Sequence, residues 1–144
     1  MRMDLSELLK KDLVEEFQSS KEQIRREIEN AEKRIKSAEK ILGIGEWGDA
    51  HAAAYAAMLY AGRALMFSKG YRPKGPDHHV AVVSFSQIYE KKYPAEVLEA
   101  FDKGRKRRHE FQYDDVDVIS EGQAKNLVEN AKIFVSKTKE ILKF

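Results

Sequence analysis

The stretch from Ala50 to Phe67 reads Ala-His-Ala-Ala-Ala-Tyr-Ala-Ala-Met-Leu-Tyr-Ala-Gly-Arg-Ala-Leu-Met-Phe. Wound as a helix, it is apolar nearly all round, so other helices must surround it. Its alanines and Gly62 let neighbouring backbones come close. Asp49 is the predicted N-cap and Gly70 the predicted end. His51 and Arg63 make the stretch a poor membrane span. The rest of the chain therefore has to supply helices with one apolar face each.

Such faces are present. Leu5, Leu8, Leu9, Leu13 and Phe17 recur at helical spacing, and Ile24, Ile28, Ala31, Ile35, Ala38 and Leu42 continue the stripe. One helix over that whole length would be about 57 Å long, with Ser19-Ser20 the expected bend or break. Gly43 and Gly45 end it, and Arg72-Pro73-Lys74-Gly75-Pro76 is a predicted loop. Asp77 can cap a third helix reaching about Lys92. Val80, Val82, Val83, Phe85 and Ile88 could instead form a strand, but no second strand candidate pairs with them, so a helix is predicted. Pro94 suits the first position of a fourth helix bearing Val97, Leu98 and Phe101. Asp114-Asp115-Val116-Asp117 is a predicted connection. Ser120 and Gln123 form a capping-box pattern ahead of a stripe running from Ala124 to Leu142. The expected architecture is all-α, an up-and-down antiparallel bundle of four to five helices, with residues 1–144 forming a single domain.

Composition narrows the chemistry. In 144 residues, 26 Lys and Arg face 24 Asp and Glu, a net charge of +2, which argues against an indiscriminate polyanion binder but leaves room for a local basic site. The absence of cysteine removes disulfides, thiol nucleophiles and thiolate zinc sites. The first residues lack the apolar core of a signal peptide, so a cytoplasmic protein without membrane attachment is expected. No His-x-x-x-His or Glu-x-x-His spacing occurs, and neither a metal nor a cofactor is expected.

Lys103-Gly104-Arg105-Lys106-Arg107-Arg108-His109 carries five cations and a histidine. Glu110, Asp114, Asp115, Asp117 and Glu121 follow at once. Helical spacing puts Arg105 and Arg108 near the extension of the stripe through Phe101, while Lys106 points to solvent. An arginine on an apolar stripe needs a carboxylate, a phosphate or a subunit interface. Salt bridges to Asp114, Asp115 and Asp117 would satisfy it. So would a phosphate held by Arg105, Arg107 and Arg108, with a base stacked on Phe111 or Tyr113. His109 can move a proton near neutral pH, and with a neighbouring arginine it would suffice for metal-independent RNA cleavage. His78 and His79, at a predicted helix start, could bond free backbone amides or take part in packing, and their adjacency makes no metal pair. His51 reads as a satisfied core or edge residue, Arg63 as an ion-pair partner, and Trp47 and Tyr55 as core.

Four pieces in this order resemble the HEPN superfamily, the higher eukaryote and prokaryote nucleotide-binding domain, and in particular its small stand-alone prokaryotic proteins. They are Trp47-Gly48-Asp49-Ala50 leading into Tyr55–Leu65; the Gly70–Lys74 loop with His79 and the Val82–Phe85 helix; Arg108-His109-Glu110-Phe111-Gln112-Tyr113-Asp114; and the capped last helix with Ala131, Phe134 and Val135. The resemblance implies a helical bundle that commonly forms a homodimer and binds RNA or a nucleotide. Many members are metal-independent ribonucleases, including toxins of toxin–antitoxin pairs, and a nucleotidyltransferase is a frequent partner. Other members only bind. Carried onto this chain, it implies His109, Arg105 and Arg108 as catalytic residues and Arg105, Arg107, Arg108 and Tyr113 as contacts to RNA or nucleotide. The nuclease motif is an arginine followed, after four to six residues, by a histidine. Upstream of His109 those positions hold Gly104, Lys103 and Asp102, and Arg105 stands one residue closer.

Overall fold

The computed structural model describes residues 2–113 and 118–144, without the side chains of 110–113. Its elements run α1 (Leu5–Lys10), β1 (Val14–Glu16), α2 (Lys21–Gly43), α3 (Trp47–Ser68), β2 (Tyr71–Pro73), α4 (His78–Ile88), a 3-10 turn at Glu90–Lys92, α5 (Ala95–Tyr113) and α6 (Glu121–Leu142). Helix α3 is the central one. Its Ala54, Ala57, Ala61, Ala64 and Leu65 are fully buried, and α2, α4, α5 and α6 all pack on it.

Close packing depends on two glycines. A Cβ at Gly62 would lie 2.4 Å from Val82 Cγ1, so α4 crosses α3 where only hydrogen fits. A Gly62→Ala variant should lose about 1–3 kcal/mol of stability through overpacking. Urea unfolding would reveal it, and a change within error of zero would mean that α4 can step aside. At Gly104 a Cβ would meet Leu127 at 3.2 Å and Tyr55 Cδ1 at 3.4 Å, so α5 packs tightly, though less so than at Gly62, on both α6 and α3.

The last helix starts as expected. Ser120 accepts from the Gln123 amide at 3.1 Å, and Gln123 accepts from the Ser120 amide at 3.0 Å. The same box starts α2, where Ser20 accepts from the Gln23 amide at 3.1 Å.

The first predicted helix is corrected. It ends at Lys10, Asp12 takes φ +60°, and Val14–Glu16 is extended. Leu8 and Val14 are both buried, but in different elements, so the apolar stripe is shared between a helix and a strand. At Ser19-Ser20, where a bend or break was expected, the helical run is broken, and Ser20 caps the start of α2. The predicted loop at 72–76 contains the partner strand. Val14, Glu15 and Glu16 pair antiparallel with Pro73, Arg72 and Tyr71. Pro73 is tolerated because a two-stranded ribbon has only edges. The ribbon is extended by Phe17 N to Gly70 O at 2.9 Å and Lys74 N to Leu13 O at 2.8 Å.

Smaller differences follow from local geometry. Helix α3 starts at Trp47 with Glu46 as N-cap, so Asp49 sits in the first turn instead of capping it. The helix after Asp77 ends at Ile88, and Pro94 lies just before α5. The described residues thus hold six helices, the bundle of four to five being joined by the short α1 that the break in the first predicted helix sets apart. The predicted connection Asp114–Asp117 lies outside the described residues.

Candidate functional site

Helix α5 leaves the core at its basic end. Val97, Leu98, Phe101 and Gly104 face inward, and one turn on Arg105 and Arg108 are partly buried while Lys106 is exposed. Arg108 lies over the Tyr55 ring, its guanidinium carbon 5.8 Å from the centroid. Tyr55 is fully buried on α3, tilted against Phe101 at 5.8 Å. Its hydroxyl is 3.0 Å from Nδ1 of His79 in the first turn of α4. Arg105, Arg108 and His109 from α5 thereby meet Pro76, Asp77, His79 and Val80 around one recess of about 290 Å³.

Among the described residues, the recess carries Arg105 and Arg108 with the Asp77 carboxylate in its lining, and a second carboxylate, Asp102, stands behind Arg105. Asp102, one turn back on α5, accepts from Arg105 Nη2 at 3.1 Å and lies 3.3 Å from Lys106 Nζ. Partial burial pushes the Asp102 carboxyl up, but the hydrogen bonds and charges of Arg105 and Lys106 outweigh it and hold the group below its usual value. Nε of Arg105 is buried and has no hydrogen-bond partner among the described residues. Burial lowers the proton affinity of His79, and the charges of Arg108, Arg63 and Arg105 lower it further. Burial raises that of Tyr55. Asp77, at the N-cap of α4, makes no side-chain hydrogen bond to the helix amides.

Of the residues singled out in the sequence, Arg105, Arg108 and His109 share the recess. Arg107 does not line it, and its charge instead acts on His51. The side chain of Tyr113, like that of Phe111, lies outside the described residues, as do Asp114, Asp115 and Asp117. Among the described residues, the carboxylate paired with Arg105 is Asp102.

Arg63 behaves as expected, 3.4 Å from Glu27 and stacked over Tyr60. The reading of His51 is corrected. It is fully buried, but neither ring nitrogen has a hydrogen-bond partner among the described residues. Burial, and then the Arg107 charge, bring its pKa down to about 4.

Sequence reasoning missed His79 and Tyr55 as a pair. They stand 24 residues apart on two helices, with ring centroids 5.5 Å apart. The signal was a histidine at a helix start, for which the sequence offered backbone amides or packing; its ring packs on Tyr55 and bonds the tyrosine hydroxyl. Among the described residues, no three His, Asp or Glu side chains come together as a metal site.

The model of the HEPN domain matches residues 24–141. The chain belongs to the HEPN family. In structure this HEPN protein is similar to TT1696 from Thermus thermophilus, with a TM-score of 0.67 at 19% identity over 82% of this chain and 97% of that one. At that identity the likeness concerns the fold. No curated protein matches the chain in sequence. The family match begins after the N-terminal ribbon strand, in the first turn of α2, and takes in α4 and α5, which line the recess. Among the described residues of this HEPN protein, no helix is long and apolar enough to cross a membrane.

Proposed function

We propose that this HEPN protein binds the phosphate backbone of RNA, or the phosphate of a nucleotide, in the recess between α4 and α5. The observation that carries the reading is the convergence of Arg105, Arg108, His79 and His109 on one cavity of about 290 Å³. Arginine is suited to this role because its planar fork donates two parallel hydrogen bonds to phosphate oxygens. Arg108 rests on Tyr55, and Arg105 is tethered to Asp102, so both are held near the recess before any ligand arrives.

In the catalytic form of this reading, the RNA supplies its own nucleophile. His109 takes the proton of a 2′-hydroxyl, whose oxygen attacks the adjacent phosphorus. The bond to the 5′-oxygen breaks, and that oxygen takes a proton from water. Arg105 and Arg108 stabilise the charge that builds on the phosphoryl oxygens.

A second reading is favoured by Gly104. At the four-residue spacing from His109 the nuclease motif has an arginine, whereas this chain has a glycine whose Cβ would stand tight against Leu127 at 3.2 Å and Tyr55 at 3.4 Å. The protein would then bind without cleaving, as a homodimeric module associated with a partner such as a nucleotidyltransferase.

The test uses single-stranded RNA in EDTA. Binding should weaken steeply between about 50 and 200 mM salt as phosphate contacts release counterions. Arg108→Ala should weaken it about tenfold and flatten the salt dependence by about one charge. If His109 is the proton acceptor, His109→Ala should slow cleavage by at least about a hundredfold and leave binding nearly intact. Salt-independent binding, or an Arg108→Ala variant that binds like wild type, would sink the phosphate reading. Binding without cleavage by wild type would select the second.

A further inference from the structure

We infer that Tyr55 fixes the tautomer of His79, so that the imidazole presents Nε2–H to the recess as an uncharged donor to a phosphate oxygen. The inference rests on the phosphate reading above and adds a contact that the basic run on α5 does not contain.

The geometry begins with the hydroxyl. Tyr55 is buried, and its one described polar neighbour at hydrogen-bond distance is His79 Nδ1, 3.0 Å away. The cation over the same ring, Arg108, can only donate. A buried hydroxyl proton needs an acceptor, and the unprotonated Nδ1 is the acceptor within reach. Burial also keeps the phenol protonated well beyond neutral pH. With its lone pair on Nδ1 engaged, a neutral imidazole carries its hydrogen on Nε2. His79 lines the recess with Arg105 and Arg108, whose charges oppose protonation of its ring. The outcome is a division of labour. The arginines supply charge, while His79 supplies a directed hydrogen bond that needs no third positive charge in a small space.

This assignment has a signature that a merely structural histidine lacks. A neutral donor should add affinity without releasing a counterion. Binding of a short fluorescein-labelled oligouridylate would be compared across salt for wild type, His79→Ala, His79→Gln, Tyr55→Phe and Arg108→Ala. His79→Ala should bind about tenfold more weakly, with the salt slope of wild type. His79→Gln, whose amide nitrogen can take the place of Nε2, should recover most of the loss. Nitrogen-15 NMR of the free protein should show His79 as the Nε2–H tautomer at neutral pH, and Tyr55→Phe should mix the tautomers.

An Nδ1–H tautomer or a charged ring in wild type would overturn the inference, and so would wild-type affinity in a folded His79→Ala. If Arg108→Ala weakens binding and His79→Ala does not, this inference alone fails. If wild type does not bind the oligonucleotide, or neither variant differs from it, the phosphate reading fails as well.

Discussion

Replacing Phe134 by alanine should lower the free energy of unfolding by about 3–5 kcal/mol. The ring is fully buried on α6, stacked on Tyr93 at 4.7 Å and tilted against Phe101 at 5.1 Å. Truncation removes those contacts and opens a cavity where α5 and the turn before it meet α6. Rigid helices collapse poorly into such a space, which places the cost toward the upper part of the range. The melting temperature should fall by roughly 10 °C. Thermal unfolding followed by circular dichroism would measure it, and a loss of less than about 1 kcal/mol would show that the core repacks freely.

The second large effect is acid sensitivity arising from His51. In the unfolded chain this imidazole takes up a proton near the usual histidine value of 6.5, whereas in the fold it does so only near 4. Between those values the unfolded state binds more protons than the native state, so stability falls as the pH falls. The contribution is fully present above about pH 6.5 and fully lost below about pH 4. Across that window it amounts to about 3 kcal/mol. His79, also lowered by burial, acts in the same direction. Asp102 loses its stabilising contribution at lower pH, on protonation of a carboxyl whose ordinary value is 3.8. Urea unfolding at several pH values should therefore show a slope between pH 4 and 6.5 that His51→Leu largely removes. An unchanged slope in that variant would assign the acid sensitivity to other groups.

Much of the bundle was legible because helical periodicity is a local property. The all-round apolar stretch at 50–67 became the central helix, and the Ser120–Gln123 box marked the start of α6 to the residue. The ribbon was not legible. Each strand has only three residues, and their partners lie more than fifty positions apart, so neither has a periodic signal of its own. Leu13 and Phe17 happen to continue the spacing of the helix before them, and that coincidence outweighed the β-branched Val14 between them. At the site, spacing on one helix was enough to bring Arg105, Arg108 and His109 together, since steps of three and four share a face. His79 and Tyr55 join them through the crossing of α3 by α4, which is set by Gly62 against Val82. A contact that depends on how two helices cross cannot be read from either helix alone.

The ribbon has a bearing on recognition. Lys74 is held at its backbone by Leu13 and at its side chain by Asp12, and Gly75 lies against the Asp12 carbonyl. The segment that delivers Pro76 and Asp77 to the rim is thus clamped at one end by Asp12 and Leu13, just before β1, and continues at the other into α4. Its conformational entropy is surrendered when the chain folds, not when a ligand arrives. The clamp comes from residues that precede the stretch matched by the family pattern. Preorganisation of this rim therefore depends on an N-terminal arm remote from it in sequence, more than sixty positions before Pro76 and Asp77.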